Sequence, residues 1–199
     1  MAQKGTGAPR LGEPTLTAAD WVEAALQLMA EKGVRAFTID ALARRLGVTK
    51  GSFYWHFKNR AALVDAALRR WEAQATRDTM SSLDAIPDVR RRLELMLAAA
   101  SRPPRARSLY AALAEAADDP AVGSALTRVA SARVDYLVTC YRELGVPEPL
   151  ARSLAVLVYA AYRGLVQLAH EAPATLPSNW ESYAELVRNA FLPAPPRRG

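Results

Sequence analysis

The chain has 199 residues, of which 51% are hydrophobic and 23% charged, a balance typical of a globular protein and not of a disordered one. Its formal net charge of +6 favours a nucleic acid or another anionic partner, and its single cysteine excludes an intramolecular disulfide. The longest apolar run is interrupted by Arg163 and is too short to span a bilayer. The polar N-terminal residues lack the apolar stretch of a signal peptide. We therefore expect a cytoplasmic protein with no membrane partner.

The N-terminal third is predicted to form a three-helix head. Residues 1–16 are rich in glycine and proline and are expected to form a flexible arm. Thr17 and Asp20 are spaced as in a capping box that starts the first helix, which ends before Gly33. This helix would brace the two that follow, so the predicted head spans residues 17–63.

Two short helices joined by a tight turn are predicted between Thr38 and Phe57. In the first helix apolar residues repeat at helical spacing, and Thr38 occupies the N-cap position. Gly47 follows the helix end, where glycine tolerates a left-handed backbone, and Thr49 is placed to cap the second helix. This pattern is typical of a helix-turn-helix unit.

The second of these helices exposes side chains that suit DNA. It begins at Lys50 and buries little besides Phe53 and Phe57, which lie one turn apart. Exposed aromatic rings beside positive charge favour a partner that covers them. A short helix carrying hydroxyl, amino and imidazole groups fits the major groove, flanking Lys and Arg suit phosphates, and Gly51 allows close approach of the backbone. The candidate DNA-binding residues are Thr38, Lys50, Gly51, Ser52, Tyr54, Trp55, His56, Lys58 and Arg60.

The charge distribution supports this interpretation. Residues 1–60 carry +4 of the net +6, so the excess charge lies with the motif. The residues alone leave an alternative open, because helix-turn-helix shapes also occur in proteins that do not bind DNA and exposed aromatics can serve a protein interface.

The motif resembles the DNA-binding domain of the TetR family of bacterial transcriptional regulators. The matching residues are Thr38, the turn Leu46-Gly47-Val48-Thr49, the run Ser52-Phe53-Tyr54-Trp55-His56-Phe57, and Lys58-Asn59-Arg60 with Leu63. Arg60 stands where the family usually has lysine, which keeps the charge but alters its geometry. The resemblance covers the N-terminal third and implies a DNA-binding head, an all-helical body and pairing of two chains.

The remainder, residues 64–192, is predicted to be a helical ligand-binding and dimerisation body. Asn59 is a good N-cap for a helix from Arg60 to about Thr79, and a break is expected at 81–87. Two helices follow, at about 89–101 and 105–117, separated by a proline pair.

Three further helices complete the predicted body. Asp119 and the proline after it signal the start of a helix that continues to about Leu144. Residues 150–171 form a strongly apolar helix, and a capping box from Ser178 to Glu181 starts a last helix that ends at Phe191. The tail, 193–199, is expected to be disordered. The predicted fold class is therefore all-α, with about nine helices.

The last two helices are the predicted dimer interface. A single recognition helix reads few bases, whereas two helices about 34–36 Å apart read a palindrome. Small residues allow close approach there and large apolar residues supply area, although a monomer core could use the same side chains. The candidate dimerisation residues are Ala161, Gly164, Leu165, Leu168, Trp180, Leu186 and Phe191.

The body also holds residues that could line a ligand pocket. Pockets are largely apolar with a few convergent polar groups, although aromatic residues at helical spacing are more often plain core. Arg163 is the best candidate for an anionic ligand, because an arginine among apolar residues needs a partner. The candidate ligand-binding residues are Trp71, Met96, Tyr110, Tyr136, Cys140, Tyr159, Tyr162, Arg163 and His170.

Motifs of catalysis are absent from the sequence. There is no Gly-rich phosphate loop, and neither histidine belongs to a Cys/His cluster with metal-ligand spacing. We therefore expect no enzymatic activity, no metal and no cofactor. The predicted function is a homodimeric TetR-like repressor that binds a palindromic operator in double-stranded DNA and is released by a small-molecule inducer. The alternatives are a regulator of this fold controlled by a protein or acting as an activator, and a helical binding protein that has lost DNA recognition.

Overall fold

The computed structural model describes residues 16–102 and 109–194, and regular structure in these two ranges is entirely helical. The helices are α1 (Ala18–Lys32), α2 (Ile39–Arg45), α3 (Lys50–His56), α4 (Arg60–Ala73), a π-helical segment (Gln74–Asp78), α5 (Thr79–Asp84), α6 (Val89–Ala100), α7 (Leu109–Ala114), α8 (Pro120–Glu143), α9 (Glu148–Glu171), a 3-10 turn (Pro173–Thr175) and α10 (Trp180–Phe191). Because α4, the π-helical segment and α5 follow one another without a break, the two ranges contain nine helical rods. The predicted all-α fold is confirmed.

Most predicted helix starts are confirmed by their capping bonds. The side chains of Thr17, Thr38, Asn59 and Asp119 each accept a hydrogen bond from a backbone N–H in the first turn that follows. Thr49 precedes α3 as predicted, but its side chain makes no capping hydrogen bond. The start of α3 is therefore set by the turn around it and not by its own cap.

Several predicted boundaries were wrong. The expected break at 81–87 begins later, because the π-helical segment carries the rod on to Asp84. Helix α7 ends at Ala114, short of residue 117, and α9 begins at Glu148, since proline is tolerated in a first helical turn. Asn179, not Ser178, caps α10 by accepting bonds from two backbone N–H groups. The expected arm at 1–15, the expected helix start at 105–108 and the tail at 195–199 lie outside the described residues.

The core consists of two hydrophobic clusters. The first joins the head to the inner body and runs from Trp21 and Phe53 to Tyr110 and Val129. The second fills the outer body around Leu97 of α6 and includes the C-terminal part of α8, the N-terminal part of α9 and Val187 of α10. Because the first cluster crosses the predicted boundary at residue 63, the head and the inner body share one core.

Ion pairs also connect the head to the body. Arg35, after α1, pairs with Asp118 just before α8, and Arg70 of α4 pairs with Glu23 of α1 at 3.0 Å.

In the described ranges no helix is long and apolar enough to cross a membrane.

Candidate nucleic-acid interface and ligand cavity

Helix α3 is anchored by one ring and presents most of its other side chains to solvent. Phe53 is fully buried, with its ring centroid 5.5 Å from that of Trp21 and 5.8 Å from that of Phe57. Tyr54 and Trp55 are 55% and 89% exposed. Burial of Phe53 holds the helix against the head, so the predicted recognition face points outward.

Cations surround this face, and some of them have carboxylate partners. Lys50 Nζ lies 3.1 Å from Asp40 Oδ2, a contact that joins α3 to α2. Arg45 donates two hydrogen bonds to Glu31, at 2.7 and 2.6 Å. That guanidinium is held within the head, whereas Lys50 is half exposed and could exchange its carboxylate for a phosphate.

Two exposed cations beside α3 have no carboxylate partner in the described part of the chain. Lys58, a predicted site residue, follows α3, and Arg44 lies on α2 with only a weak bond from its Nε to the Asp40 carbonyl oxygen at 3.4 Å. Arg44 is not among the DNA-binding residues predicted from the sequence. Its unpaired charge next to α3 adds it to the candidate interface.

Arg60 requires a correction to the predicted site. It is half-buried, its Nε donates to the Phe37 carbonyl oxygen at 3.2 Å, and another donor bonds the Val34 carbonyl oxygen. Its guanidinium carbon lies 4.4 Å from the centre of the Phe37 ring. These contacts tie α4 to the loop between α1 and α2, so the guanidinium serves the head's own structure and is not free for a phosphate.

The remaining predicted DNA-binding residues lie at the surface of α2 and α3. Thr38 is exposed but uses its hydroxyl oxygen to accept from the Ala41 N–H. Ser52 and His56 are half-exposed. Gly51 is exposed, and a Cβ added there would meet only Thr49 Oγ1, at 3.6 Å. Packing within the chain therefore does not require glycine at position 51.

The body contains a cavity of about 210 Å³ beside the π-helical segment. Its lining residues are Ala75, Thr79, Met80, Leu83, Met96, Ala99, Ala100, Arg133, Leu137, Val158, Tyr159 and Tyr162. Of the nine predicted ligand residues, only Met96, Tyr159 and Tyr162 are among them.

Three predicted ligand residues, Trp71, Tyr110 and Arg163, form the layer behind the cavity wall. The Tyr110 hydroxyl lies 3.1 Å from that of Tyr159, and the Tyr110 ring is 6.1 Å from those of Trp71 and Tyr162. Arg163 lies over Tyr110, with its guanidinium carbon 4.3 Å from the ring centre, and burial lowers its pKa. The prediction that Arg163 faces a ligand is therefore wrong for this cavity.

The other three predicted ligand residues, Tyr136, Cys140 and His170, lie away from the cavity. Tyr136 donates to Asp84 at 2.6 Å, and burial together with this bond raises the pKa of its hydroxyl. Cys140 is buried in the second core cluster, which raises its pKa to about 11. His170 is exposed, with its Nε2 3.0 Å from a Glu115 oxygen. None of these side chains lines the cavity.

The sequence interpretation missed Arg133, the charged residue that lines the cavity. A signal was present, because Arg133 follows buried Val129 and precedes buried Leu137 by one helical turn each, on the same face of α8. The cavity wall formed by Ala75 and Thr79 was also missed, because the helix from Arg60 was expected to end at about Thr79 and no pocket was placed beside its end.

The predicted dimer surface is partly exposed and partly internal. Gly164, Leu168 and Leu186 are exposed, whereas Leu165 is 7% exposed and packs inside the chain. Ala161 and Phe191 both line a small gap between α9 and α10, and Trp180 is half-buried against Tyr183. The outward stripe of α9 also includes three apolar residues that the prediction omitted, Leu150, Val156 and Leu157, each about half exposed.

Comparison with known proteins places the head in a family. Residues 22–67 match the family model for bacterial regulatory proteins of the tetR family. The regulator SrpR of Pseudomonas putida is 37% identical over 68 residues, which are 34% of this chain and 29% of that protein. The class A tetracycline repressor from transposon 1721 of Escherichia coli is 51% identical over 45 residues, 23% of this chain and 21% of the repressor. The matched region thus spans less than half of these relatives.

Solved structures extend the likeness to the fold of the body. A transcriptional regulator from Rhodococcus sp. Rha1 has a TM-score of 0.71 at 22% identity, over 89% of this chain and 96% of that one. A regulator from Saccharomonospora viridis in complex with choline has a TM-score of 0.67 at 19% identity, over 86% and 93%. Residues 22–67 of the head thus have the sequence of the tetR family of bacterial regulatory proteins, and the fold of the described chain agrees with that of solved transcriptional regulators.

Proposed function

We propose that the protein is a homodimeric repressor that binds a palindromic DNA operator and is released from it by a small molecule held in the body. The observation that carries the DNA-binding part is the exposed face of α3, where Tyr54 and Trp55 stand in solvent beside Lys50 and Lys58. These two rings are exposed to water in the free protein, and a DNA duplex would cover them.

The side chains on this face divide into two roles. Lys50, Ser52, Tyr54 and His56 lie on α3, where they would contact base edges in the major groove. A second set would bind the phosphate backbone, which positions the protein without reading sequence. This set comprises Thr38, Trp55, Lys58 and, added from the structure, Arg44.

Pairing of two chains is supported by the outward stripe of α9. Leu150, Val156, Leu157 and Leu168 are 39–55% exposed, and Leu186 of neighbouring α10 is 64% exposed. Apolar side chains grouped in this way on two adjacent helices indicate an interface. Two copies joined there would present two recognition helices to one operator.

Release by a small molecule is supported by the cavity and by its position. Its wall includes Ala75 and Thr79, which belong to the same helical rod as α4, the helix that begins in the head. The similar regulator from Saccharomonospora viridis was solved with choline, so a fold of this kind accommodates a small ligand. A ligand that favours one tilt of this rod would shift the population between DNA-competent and DNA-incompetent states.

The first experiment is selection of binding sites by the full chain from a random DNA pool, followed by affinity measurements at several salt concentrations. We expect a palindrome and an affinity that falls steeply as salt rises. Lys58→Gln should weaken binding to all sequences and lower the salt slope by roughly one. Lys50→Gln and His56→Ala should change the preferred sequence. Arg188→Gln, which removes one positive charge from α10, is the matched control and should change none of these.

The outcomes separate the alternatives. Enrichment of no sequence, with no salt-dependent affinity, would indicate a helical binding protein without DNA recognition. Equal loss of affinity for all sequences in all three head variants would contradict the division of roles. A confirmed operator whose occupancy responds to no small molecule would favour control by a protein partner.

The dimer is tested separately by measuring molar mass in solution. We expect a dimer for the wild-type chain and a monomer after Leu157→Glu and Leu168→Glu are combined, because two buried carboxylates would be unpaired at the interface. Trp55→Glu, which places the same charge on an equally apolar exposed site in the head, should remain dimeric. A wild-type monomer would contradict the proposed interface.

A further inference from the structure

We propose that the cavity binds an anionic amphiphile, a molecule with a carboxylate or similar monoanionic head and an apolar body, and that Arg133 binds the anion. This inference rests on the proposed function in treating the cavity as the effector site, and it adds the chemical class of the effector. It depends on the charge of the cavity wall and on the hydrogen-bond donors that Arg133 leaves unused.

The wall is apolar apart from one charge and a few hydroxyls. Alanine, leucine, methionine and valine side chains make up most of the lining, together with Thr79, Tyr159 and Tyr162. Arg133 is the charged residue among those that line it, and the lining includes no aspartate or glutamate. A ligand that enters therefore meets a net positive charge surrounded by apolar surface, which suits an anion with an apolar body.

The guanidinium of Arg133 is only partly satisfied. Its Nε donates to the Ala75 carbonyl oxygen at 3.2 Å, and its carbon lies 5.8 Å from the centre of the Tyr162 ring. Across the described ranges no carboxylate lies within ion-pair distance of it, and its two terminal nitrogens have no hydrogen-bond partner there. An arginine beside apolar walls favours an acceptor for these donors, and two parallel N–H groups match a carboxylate.

A second arginine on the same helix shows the contrast. Arg128, little more than one turn before Arg133 on α8, donates three hydrogen bonds of 2.8–3.1 Å to the Glu72 carboxylate of α4. Helix α8 thus directs one arginine to a carboxylate of its own chain and the other into a cavity that has none. Within the described ranges Arg133 thus lacks the carboxylate partner that Glu72 supplies to Arg128.

Two tyrosine hydroxyls add donors to the same site. Tyr162 lies against Arg133, and its hydroxyl has no hydrogen-bond partner in the parts of the chain that are described. The Tyr159 hydroxyl forms a hydrogen bond with the Tyr110 hydroxyl at 3.1 Å, in which either can be the donor. Burial raises the pKa of Tyr159, so this hydroxyl stays protonated at neutral pH. Neutral hydroxyl groups beside a guanidinium can donate hydrogen bonds that stabilise an anion. The same groups offer a cation no negatively charged partner.

The position of Arg133 also connects the ligand to the head. The carbonyl that it bonds belongs to Ala75, inside the π-helical segment that continues α4. Segments of this kind are frequent at functional sites because their backbone departs from regular helical hydrogen bonding. An anion that draws the guanidinium toward itself weakens or redirects the bond to Ala75, so occupancy of the cavity acts directly on the rod that begins in the head.

The experiment measures calorimetric binding of four probes to the full chain without DNA. The anionic probes are octanoate and 4-phenylbutyrate, and the neutral probes are their amides, which match them in shape. We expect each carboxylate to bind about ten- to hundredfold more tightly than its amide, as hydrogen bonds to a charged group predict. Octyltrimethylammonium, a cation with the same chain length as octanoate, should bind more weakly than octanoate.

Variants assign the effect to Arg133. Arg133→Gln should lower carboxylate affinity to that of the amide while leaving amide affinity unchanged, and Arg133→Lys should restore part of the preference for the anion. Arg163→Gln is the matched control, because Arg163 also stacks on a tyrosine, lacks a carboxylate partner in the described ranges and lies outside the cavity. Thermal unfolding of each variant checks that the fold is kept, and Arg133→Lys keeps the test valid if Arg133→Gln is unstable.

Three results would overturn the inference. They are equal affinities for carboxylate and amide, tighter binding of the ammonium probe, and absence of carboxylate binding up to millimolar concentration. An equal loss in Arg163→Gln would move the anion site away from Arg133. The calorimetry is done without DNA, so it tests the anion site separately from DNA binding. A chain that binds carboxylates but no DNA would support the anion site and refute the proposed function. A chain that binds an operator but no carboxylate would support DNA binding and refute the anion site.

Discussion

The guanidinium carbon of Arg60 lies 4.4 Å from the centre of the Phe37 ring, and Arg60 Nε donates to the carbonyl oxygen of the same residue at 3.2 Å. The Arg60 side chain of α4 thus contacts both the ring and the backbone of Phe37, in the loop before α2. The head keeps its shape partly through this contact, so Arg60 affects DNA binding through the fold.

Replacing Arg60 tests this role. Arg60→Lys should lower the free energy of unfolding by about 1–2 kcal/mol, because lysine cannot form the same set of bonds and stacks less well on the ring. Chemical denaturation measures the change. Arg69→Lys, on an exposed face of the same helix, should stay within about 0.5 kcal/mol. Unchanged stability in Arg60→Lys, with weaker and less salt-dependent DNA binding, would instead support a phosphate contact.

Gly51 tests how closely the backbone of α3 approaches DNA. Gly51→Ala should stabilise the head by about 0.5–1 kcal/mol, because a Cβ there meets only Thr49 Oγ1, at 3.6 Å, and glycine disfavours a helix. The affinity for the selected operator should nevertheless fall by roughly tenfold, equivalent to about 1.4 kcal/mol, as the methyl group separates the helix from the duplex. Unchanged affinity would show that the backbone stays clear of DNA at this point.

Gly123 is needed for packing at the start of α8. An added Cβ would lie 2.6 Å from the Ala117 carbonyl oxygen, closer than van der Waals contact allows. Gly123→Ala should therefore cost about 1–3 kcal/mol in the free energy of unfolding, measured by denaturation. Gly51→Ala on α3, where an added Cβ meets only Thr49 Oγ1 at 3.6 Å, is the control and should be stabilising. Equal effects at both positions would contradict this account.

The Glu72–Arg128 pair predicts a specific pH dependence. Hydrogen bonds from Arg128 hold the pKa of the Glu72 carboxyl below its ordinary value of 4.5. Because the folded-state pKa is lowered, the pair stabilises the protein above that value, and its contribution is lost as the pH falls through the folded-state pKa. A double-mutant cycle with Glu72→Gln and Arg128→Gln should give a coupling of about 0.5–1 kcal/mol at pH 7.

The same cycle at acidic pH checks the sign. The coupling should shrink toward zero as the pH falls well below 4.5. The Asp65–Arg69 pair on the exposed side of α4 is the control, and its coupling should be smaller at pH 7 because both of its side chains are more than half exposed. A coupling for Glu72–Arg128 that grows on acidification would contradict the assignment.

The features that could be predicted correctly depend on residues close together along the chain. Capping by Thr38 and Asn59, the buried ring of Phe53 and the outward face with Trp55 all follow from spacings of one or two helical turns, and the structure agrees with each. Local spacing decides which side of a helix a residue occupies, so the helix-turn-helix unit and the all-α class could be predicted.

Which residues meet across distant segments depended on the packing of the helices against one another. Arg60 was predicted to be free for phosphate, but the Phe37 and Val34 carbonyls lie more than twenty positions earlier. Arg133 and Arg163 are both arginines within apolar helices, and the spacing that aligns Arg133 with buried Val129 and Leu137 does not say which of the two arginines lines a cavity. The packing of α8 against the π-helical segment places Arg133 in the cavity, and the packing of α9 against α7 places Arg163 outside it over Tyr110. Side chains from separate helices enclose a cavity only after the helices pack, and the spacing of residues along one helix does not specify that arrangement.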